Sequence, residues 1–397
     1  MIPPLSITVG PRNAQLTGVD DRILQAGVDY LAGLGGGTLR ILPGTFHLNN
    51  AVYLRDNIRV EGSGDDTVLM KNPSLRAKLA EDADWYLDEI VLDDPKGFDV
   101  GYGVCLQGTN PHNNSVDVIK RTLVARDGNR FKLDRQIEKN FWTDFDATAA
   151  TLFPIISGDH VRDCEIRNLT LDGNRDNNEE INGNYAGGIF LQNCQNLTFD
   201  AVTSRNYNGD GFSWQIAHDV TVTNCKSLNN ANLGLHPGSG SLRPIMKNNV
   251  IENTDIGIFF CWGVKNGVAE NNLVQGVKSA GISIGHRDTD NVVRANRVVR
   301  SGKVGVLFRA ERSEAQCGHR NLIEDNDIID SGAPADGVAI DVQGQTRQIT
   351  LRNNRLKETR SADHRVGVRI GPETADITLD QNTLRGFANN VDDQRKK

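Results

Sequence analysis

The chain has 397 residues, of which 38% are hydrophobic and 24% charged, and a formal net charge of −7. This is a globular composition that excludes a disordered or collagen-like chain, and the acidic balance without a basic block argues against a nucleic-acid partner. No apolar run approaches the ~20 residues of a membrane span, so no membrane insertion is expected.

The opening MIPPLSITVG lacks the basic-then-apolar pattern of a signal peptide. The expected location is therefore cytoplasmic, or extracellular or periplasmic if an export signal has been removed. Asp20 is placed to cap a helix whose apolar residues Ile23, Leu24, Val28, Leu31 and Leu34 share a face, and Gly35-Gly36-Gly37 stops it. TLRILPGTFHL then alternates as strand, turn and strand. Residues 72–150 are charged and hold strand-like pieces, with a hairpin signal at Arg126-Asp127-Gly128-Asn129. They read as an inserted β-rich module between residues 1–71, the cap helix and first coils, and residues 151–397, the main repeat. The ending DDQRKK reads as a solvated charged tail. The six cysteines, Cys105, Cys164, Cys194, Cys225, Cys261 and Cys317, form no CxxC pair and read as mostly buried free thiols.

From residue 187 a phrase recurs: glycine, apolar, variable, apolar, variable. It begins at Gly188, Gly211, Gly234, Gly257, Gly281, Gly305, Gly337 and Gly367, mostly 23 or 24 residues apart. A second phrase runs in phase, with its asparagine at Asn249, Asn272, Asn296, Asn326, Asn354 and Asn382. Forty glycines and 39 asparagines suit many tight turns, because both tolerate left-handed backbone angles. Short alternating strands at this period exclude a helical solenoid. One asparagine per coil implies a ladder of side-chain amides across a ~4.8 Å strand spacing.

These repeats resemble the right-handed parallel β-helix (pectin-lyase-like) superfamily over about 38–71 and 151–386. The resemblance implies an all-β, single-stranded parallel β-helix, with three short strands per ~23-residue coil. The helix, GGG and PGT turn resemble the N-terminal cap that covers the open core of secreted and phage β-helices. The superfamily implies no single chemistry, since it includes lyases, hydrolases, epimerases, tailspikes and adhesins.

Residues two and four beyond each repeated glycine point outward by the period of two. The first column reads Phe190, Ser213, His236, Phe259, Ser283, Leu307, Ala339, Arg369, and the second Gln192, Gln215, Gly238, Cys261, Gly285, Arg309, Asp341, Gly371. Asn193, Ser239, Trp262, His286, Arg287 and Glu311 follow at the turns. Two histidines, two arginines and an aromatic ring suit a groove for a polar polymer better than a solvated face. The long departures from the period at 173–186, 312–320, 330–336 and 358–365 are expected on one side, around a site.

His236 is the first candidate acid or base, with ligand room expected beside its small neighbours. A histidine packed on the next coil is the competing reading. His286 and Arg287 lie two coils on, where an arginine would neutralise a uronate carboxylate, unless Arg287 merely pairs with Asp288 or Asp290. Arg309 and Asp341 read as one column, either binding substrate or pairing with each other. Trp262 offers a stacking surface, Glu311 an acid or base, and Gln215 and Asp210 polar contacts. Cys261 faces outward without a partner that marks a nucleophile.

Three functions compete. The favoured one is a polysaccharide lyase or C5 epimerase acting on uronate-containing glycans through His236, His286, Arg287 and Arg309. The second is a glycoside hydrolase, which needs paired carboxylates. The third is a non-catalytic glycan-binding or tailspike-like protein, monomeric or trimeric. The aspartate cluster of pectate lyases does not stand here, nor does the Asp-Pro-His of alginate epimerases, since this chain has Leu-His-Pro. The adjacent aspartates, Gly-His-Gly and Arg-x-Lys of polygalacturonases do not stand here either. No cofactor is expected, and calcium at Asp172, Asp176 or Asp210 is left open.

Overall fold

A computed structural model describes residues 4–333, 336–361 and 363–396. Of the segments read above, Met1–Pro3, Pro334 and Ala335, Ala362 and the final Lys397 lie outside the described residues. The repeats wind into coils whose strands stack in parallel. The glycine phrases form an 11-stranded sheet that runs from Val52–Tyr53 to Asn389–Asp393. The asparagine phrases lie in a 22-stranded sheet that closes the rest of each coil. Inward side chains such as Phe212, Trp214, Leu235, Ile258, Phe260, Ile282 and Phe308 are buried and fill one continuous core.

The amide ladder forms as expected. Asn249 Nδ2 donates to Asn272 Oδ1 at 2.9 Å, Asn272 to Asn296 at 2.8 Å and Asn296 to Asn326 at 3.0 Å. Each ladder residue follows one in the left-handed region, among them Asn248 at φ 57° and Asn271 at φ 54°. That bend turns the chain between adjoining faces, and short amide side chains tolerate it.

The helix Asp21–Gly33 covers the N-terminal end, and the Asp20 carboxylate accepts from Ile23 N–H as its cap. Leu24, Val28 and Leu31 are buried against the first coil, but Leu34 lies beyond the last turn and is exposed. At the other end, the expected charged tail is partly structured. The strand Asn389–Asp393 adds a final coil, and Asp392 pairs with Arg369.

Residues Arg76–Ala150 hold a six-stranded antiparallel sheet with its own apolar core, including Phe98, Leu106, Leu123, Phe131 and Phe141. Its ends meet: Thr151 N–H donates to Leu75 O and Leu75 N–H to Thr151 Oγ1, both at 2.8 Å. The module leaves the coil just before the strand Ile156–Asp159 of the 11-stranded sheet. The loop at 173–186 leaves before the next strand, Gly187–Gln192, and so rises from the same edge. The turns carrying Trp262, His286 and Glu311 follow their strands and form the opposite edge. The long loops expected on one side are therefore divided between two walls with the sheet as floor, since 312–320 follows its strand and the others precede theirs.

Candidate active site on the outward sheet face

Strand register corrects one sequence alignment. Asp341 pairs with Leu307 and Arg369, so Ala339, not Gly337, occupies the repeated-glycine position. The loop at 330–336 lengthens the coil and moves the true repeat two residues past the apparent phrase. Asp341 therefore does not share a column with Arg309. Its neighbours are Gln343, which donates to it at 2.5 Å, and Arg369 at 3.8 Å. Burial raises the Asp341 pKa, offset by Gln343 and Arg369. This carboxylate stands at the C-terminal end of the face, paired and buried.

The floor carries two clusters. The inner one is closed. His236 Nδ1 lies 2.7 Å from Asp210 Oδ2 and 3.2 Å from Ser213 Oγ. Ser213 Oγ donates to Gly183 O at 2.6 Å, which leaves the Nδ1 proton to be given to Asp210. Asp210 also accepts from Leu233 N–H. All three side chains are buried, and His236 Nε2 has no partner among the described residues. The expected ligand room beside His236 is absent. Gly183, in the 173–186 loop, lies so close that a methyl group on it would overlap the Asp210 carboxylate. The Gln215 amide packs on Gly238 and accepts from Ser239 N–H at 2.7 Å. Asp210 and His236 thus face each other and the loop, and Gln215 faces the turn of the next coil, instead of solvent.

The outer cluster is open. Trp262 is 59% exposed and stacks on His286, with ring centroids 4.7 Å apart and planes inclined by 25°. Trp262 adopts φ 68° and Arg287 φ 59°, at the turn where earlier coils place His160, Asn193, Ile216 and Gly240 in the left-handed region. A bulky side chain there costs about 1 kcal/mol. His286 Nδ1 faces Glu311 Oε2 at 3.4 Å, and both residues are partly exposed. Arg287 is exposed, and among the described residues its guanidinium has no partner. The turn contacts expected of it are taken by others. Asp290 pairs with Arg320 at 2.7 Å, and Asp288 receives Arg309 and backbone amides.

Arg309 links the clusters as a brace. It donates to Ser283 Oγ at 2.8 Å and Phe260 O at 3.0 Å, reaches Asp288 at 3.3 Å, and lies 3.6 Å from Glu311. Its guanidinium carbon is 4.5 Å above the Phe259 ring centroid, and Phe259 in turn packs 5.5 Å from His236. With these partners Arg309 positions Glu311 and is not free to take a substrate carboxylate. Asp288 was missed as a site residue. It is fully buried and accepts from Gly263, Val264 and Gly285 N–H, which fixes the turns of Trp262 and His286 together. Its position three residues after Gly285 was the available signal. Burial raises its pKa, opposed by Arg309 and the backbone donors.

All six cysteines are free, and burial pushes the Cys261 thiol up to about 12, which keeps it protonated at neutral pH. Of the aspartates considered for calcium, Asp172 holds Arg205 at 2.8 Å and Asp210 holds His236. Among the described residues no group of three or more His, Cys, Asp or Glu is placed to hold a metal ion.

A family model described as a right-handed beta helix region matches residues 155–316. No curated protein matches the sequence significantly. Among solved structures, the A-module of the mannuronan C-5 epimerase AlgE4 from Azotobacter vinelandii matches with TM-score 0.58 at 15% identity, covering 98% of this chain and 100% of that one. The surface adhesin PfbA of Streptococcus pneumoniae matches with TM-score 0.52 at 13% identity, covering 94% and 89%. ORF18 of Geobacillus virus E2 matches with TM-score 0.54 at 10% identity, covering 97% and 62%. At these identities the likeness is one of fold. The chain has the fold of a right-handed parallel β-helix.

Proposed function

We propose that the protein is a carbohydrate-active enzyme that holds a uronate-containing polysaccharide along the outward sheet face. It acts at the Trp262–His286 end as a polysaccharide lyase or C5 epimerase. The observation that carries this reading is the partly exposed His286, with Glu311 on one ring nitrogen, an exposed stacking Trp262, and beside it Arg287, whose guanidinium has no partner among the described residues. A carboxylate on Nδ1 favours the tautomer that leaves Nε2 free to accept a proton. Arg287 is available to neutralise the uronate carboxylate, which makes the C5–H bond more acidic. In elimination, the C5 proton passes to Nε2, its electron pair forms the C4=C5 double bond, and the C4–O4 bond breaks. The imidazolium then gives its proton to the leaving oxygen. In epimerisation, C5 is instead reprotonated on the opposite face by a second donor. The scaffold shared with a mannuronan C-5 epimerase module is compatible with this chemistry.

Hydrolysis is less well supported. Asp210, Asp288 and Asp341 are buried, and Glu311 is engaged by His286 and Arg309, so among the described residues these carboxylates form no open pair across the floor.

The test is a panel of uronate and neutral polysaccharides, with and without calcium. Ultraviolet absorbance, reducing ends and C5 stereochemistry by NMR are followed together. Absorbance rising with reducing ends identifies a lyase, and inverted C5 without chain cleavage an epimerase. Reducing ends without absorbance overturn the reading in favour of a hydrolase. Glycan binding with no chemistry leaves a binding protein.

A further inference from the structure

A second cleft, of about 710 Å³, lies between the cap helix, the inserted module and the first coils. Its floor includes Ser157 and Phe190, which precede Ser213 and His236 in the same outward column. Five cations line it, Arg22, Arg55, Lys120, Arg121 and Arg135, of which Lys120, Arg121 and Arg135 come from the module. The Lys120 ammonium sits 3.6 Å from the Phe190 ring centroid, and among the described residues neither Lys120 nor Arg135 has an ion pair or side-chain hydrogen bond. Each of the other charged groups of the cleft has a hydrogen-bond or ion-pair partner, although Arg22, Asp21 and Asp134 are held by backbone groups alone. Arg55 pairs with Asp29, Arg121 with Glu138, and Arg22 donates to Val100 O. Asp21 accepts from Asn49 N–H, Asp134 from Thr122 N–H, and Asp159 pairs with His160. The side chains of Ser157 and Gln192 also lack partners. Burial lowers the Lys120 pKa to about 7, opposed by Cys105 and Asp159 and aided by Arg135, so an anion beside the ammonium would stabilise its charge.

We propose that this cleft is an anchoring subsite for a carboxylate-bearing sugar residue. Lys120 and Arg135 take the carboxylate, and Ser157 and Gln192 take hydroxyl groups. The sugar rests on the glycan reading of the sheet face, and the acid rests on Lys120 and Arg135, which among the described residues lack an ion pair. Two adjacent unpaired cations and free polar groups in one concave site match an anionic, hydroxylated ligand.

The full chain is reductively ¹³C-methylated, and the Lys120 signal is assigned by its absence in Lys120→Met. Sodium D-glucuronate, acetate and D-glucose are added in turn, followed by an oligouronate and its carboxyl-reduced counterpart. The expected result is a shift of the Lys120 signal with glucuronate that exceeds the acetate shift and is absent with glucose. Oligouronate affinity should fall about tenfold in Lys120→Met and in Arg135→Gln. The second variant is at an exposed position and guards against misfolding of the first. No shift with glucuronate, an equal shift with acetate or glucose, or unchanged affinity in both variants overturns the subsite. Oligouronate binding lost in Trp262→Leu but kept in both cleft variants refutes the subsite alone. The glucuronate shift with no chemistry on any polysaccharide supports the subsite and refutes the enzymatic reading.

Discussion

His236 and His286 stand two coils apart on one face, and what covers each decides what it can do. His236 gives its Nδ1 proton to a buried carboxylate under a loop, so it holds that loop in place. His236→Ala leaves Asp210 charged and unpaired in the interior, and the expected cost is about 3 kcal/mol in urea unfolding. A loss below about 0.5 kcal/mol would contradict the buried pair. The sequence pointed to both histidines because outward polar positions could be counted from the glycines. It put His236 first, because the covering loop at 173–186 is distant in the chain and has no repeat to fix its path. Lys71 illustrates burial at another position. Its ammonium is enclosed by Thr151 O and Asn178 Oδ1, and burial lowers its pKa from 10.5 to about 7. Between those values the unfolded chain holds a proton that the folded chain does not. Wild-type stability relative to Lys71→Met should therefore rise with pH from about 7 to 10.5. Denaturation at pH 7, 8 and 9 checks this, and a flat difference would refute it.

At the scale of the element, the asparagine ladder is the clearest case of structure legible in sequence. One amide per coil in a buried turn is satisfied by its counterparts above and below together with backbone groups. Asn272 is bonded on both sides, through Asn249 and Asn296, and also donates to Met246 O. Asn272→Ala should cost about 3 kcal/mol, because several buried backbone groups lose partners. Asn382, partly buried at the last coil, should cost about 1 kcal/mol. Paired urea melts of the two variants measure the contrast, and equal losses would show that the ladder is not carrying the load assigned to it. The same counting failed at Gly337. An irregular coil length displaced the phrase by two residues, and only strand pairing reveals the shift. Asp341 was misplaced beside Arg309 for that reason, and the actual partners of Arg309, on earlier coils, were not anticipated.

Over the whole molecule, the repeat defines a floor and the irregular segments build walls on both of its edges. The floor and its outward columns were legible, since period two and period ~23 fix them. The walls were not, because an insertion such as Arg76–Ala150 carries its own core and its docking depends on contacts far apart in sequence. The walls are what close the His236 end and leave the Trp262 end open, so they, and not the floor, locate the proposed chemistry. The most direct test is tryptophan fluorescence during titration with a uronate oligosaccharide, in wild type, Trp262→Leu and His286→Ala. The account predicts a saturable change in wild type that disappears in Trp262→Leu. It also predicts that His286→Ala still binds but loses turnover on any polysaccharide that wild type transforms. A fluorescence change that survives intact in Trp262→Leu, or full turnover in His286→Ala, would place the site elsewhere and contradict it.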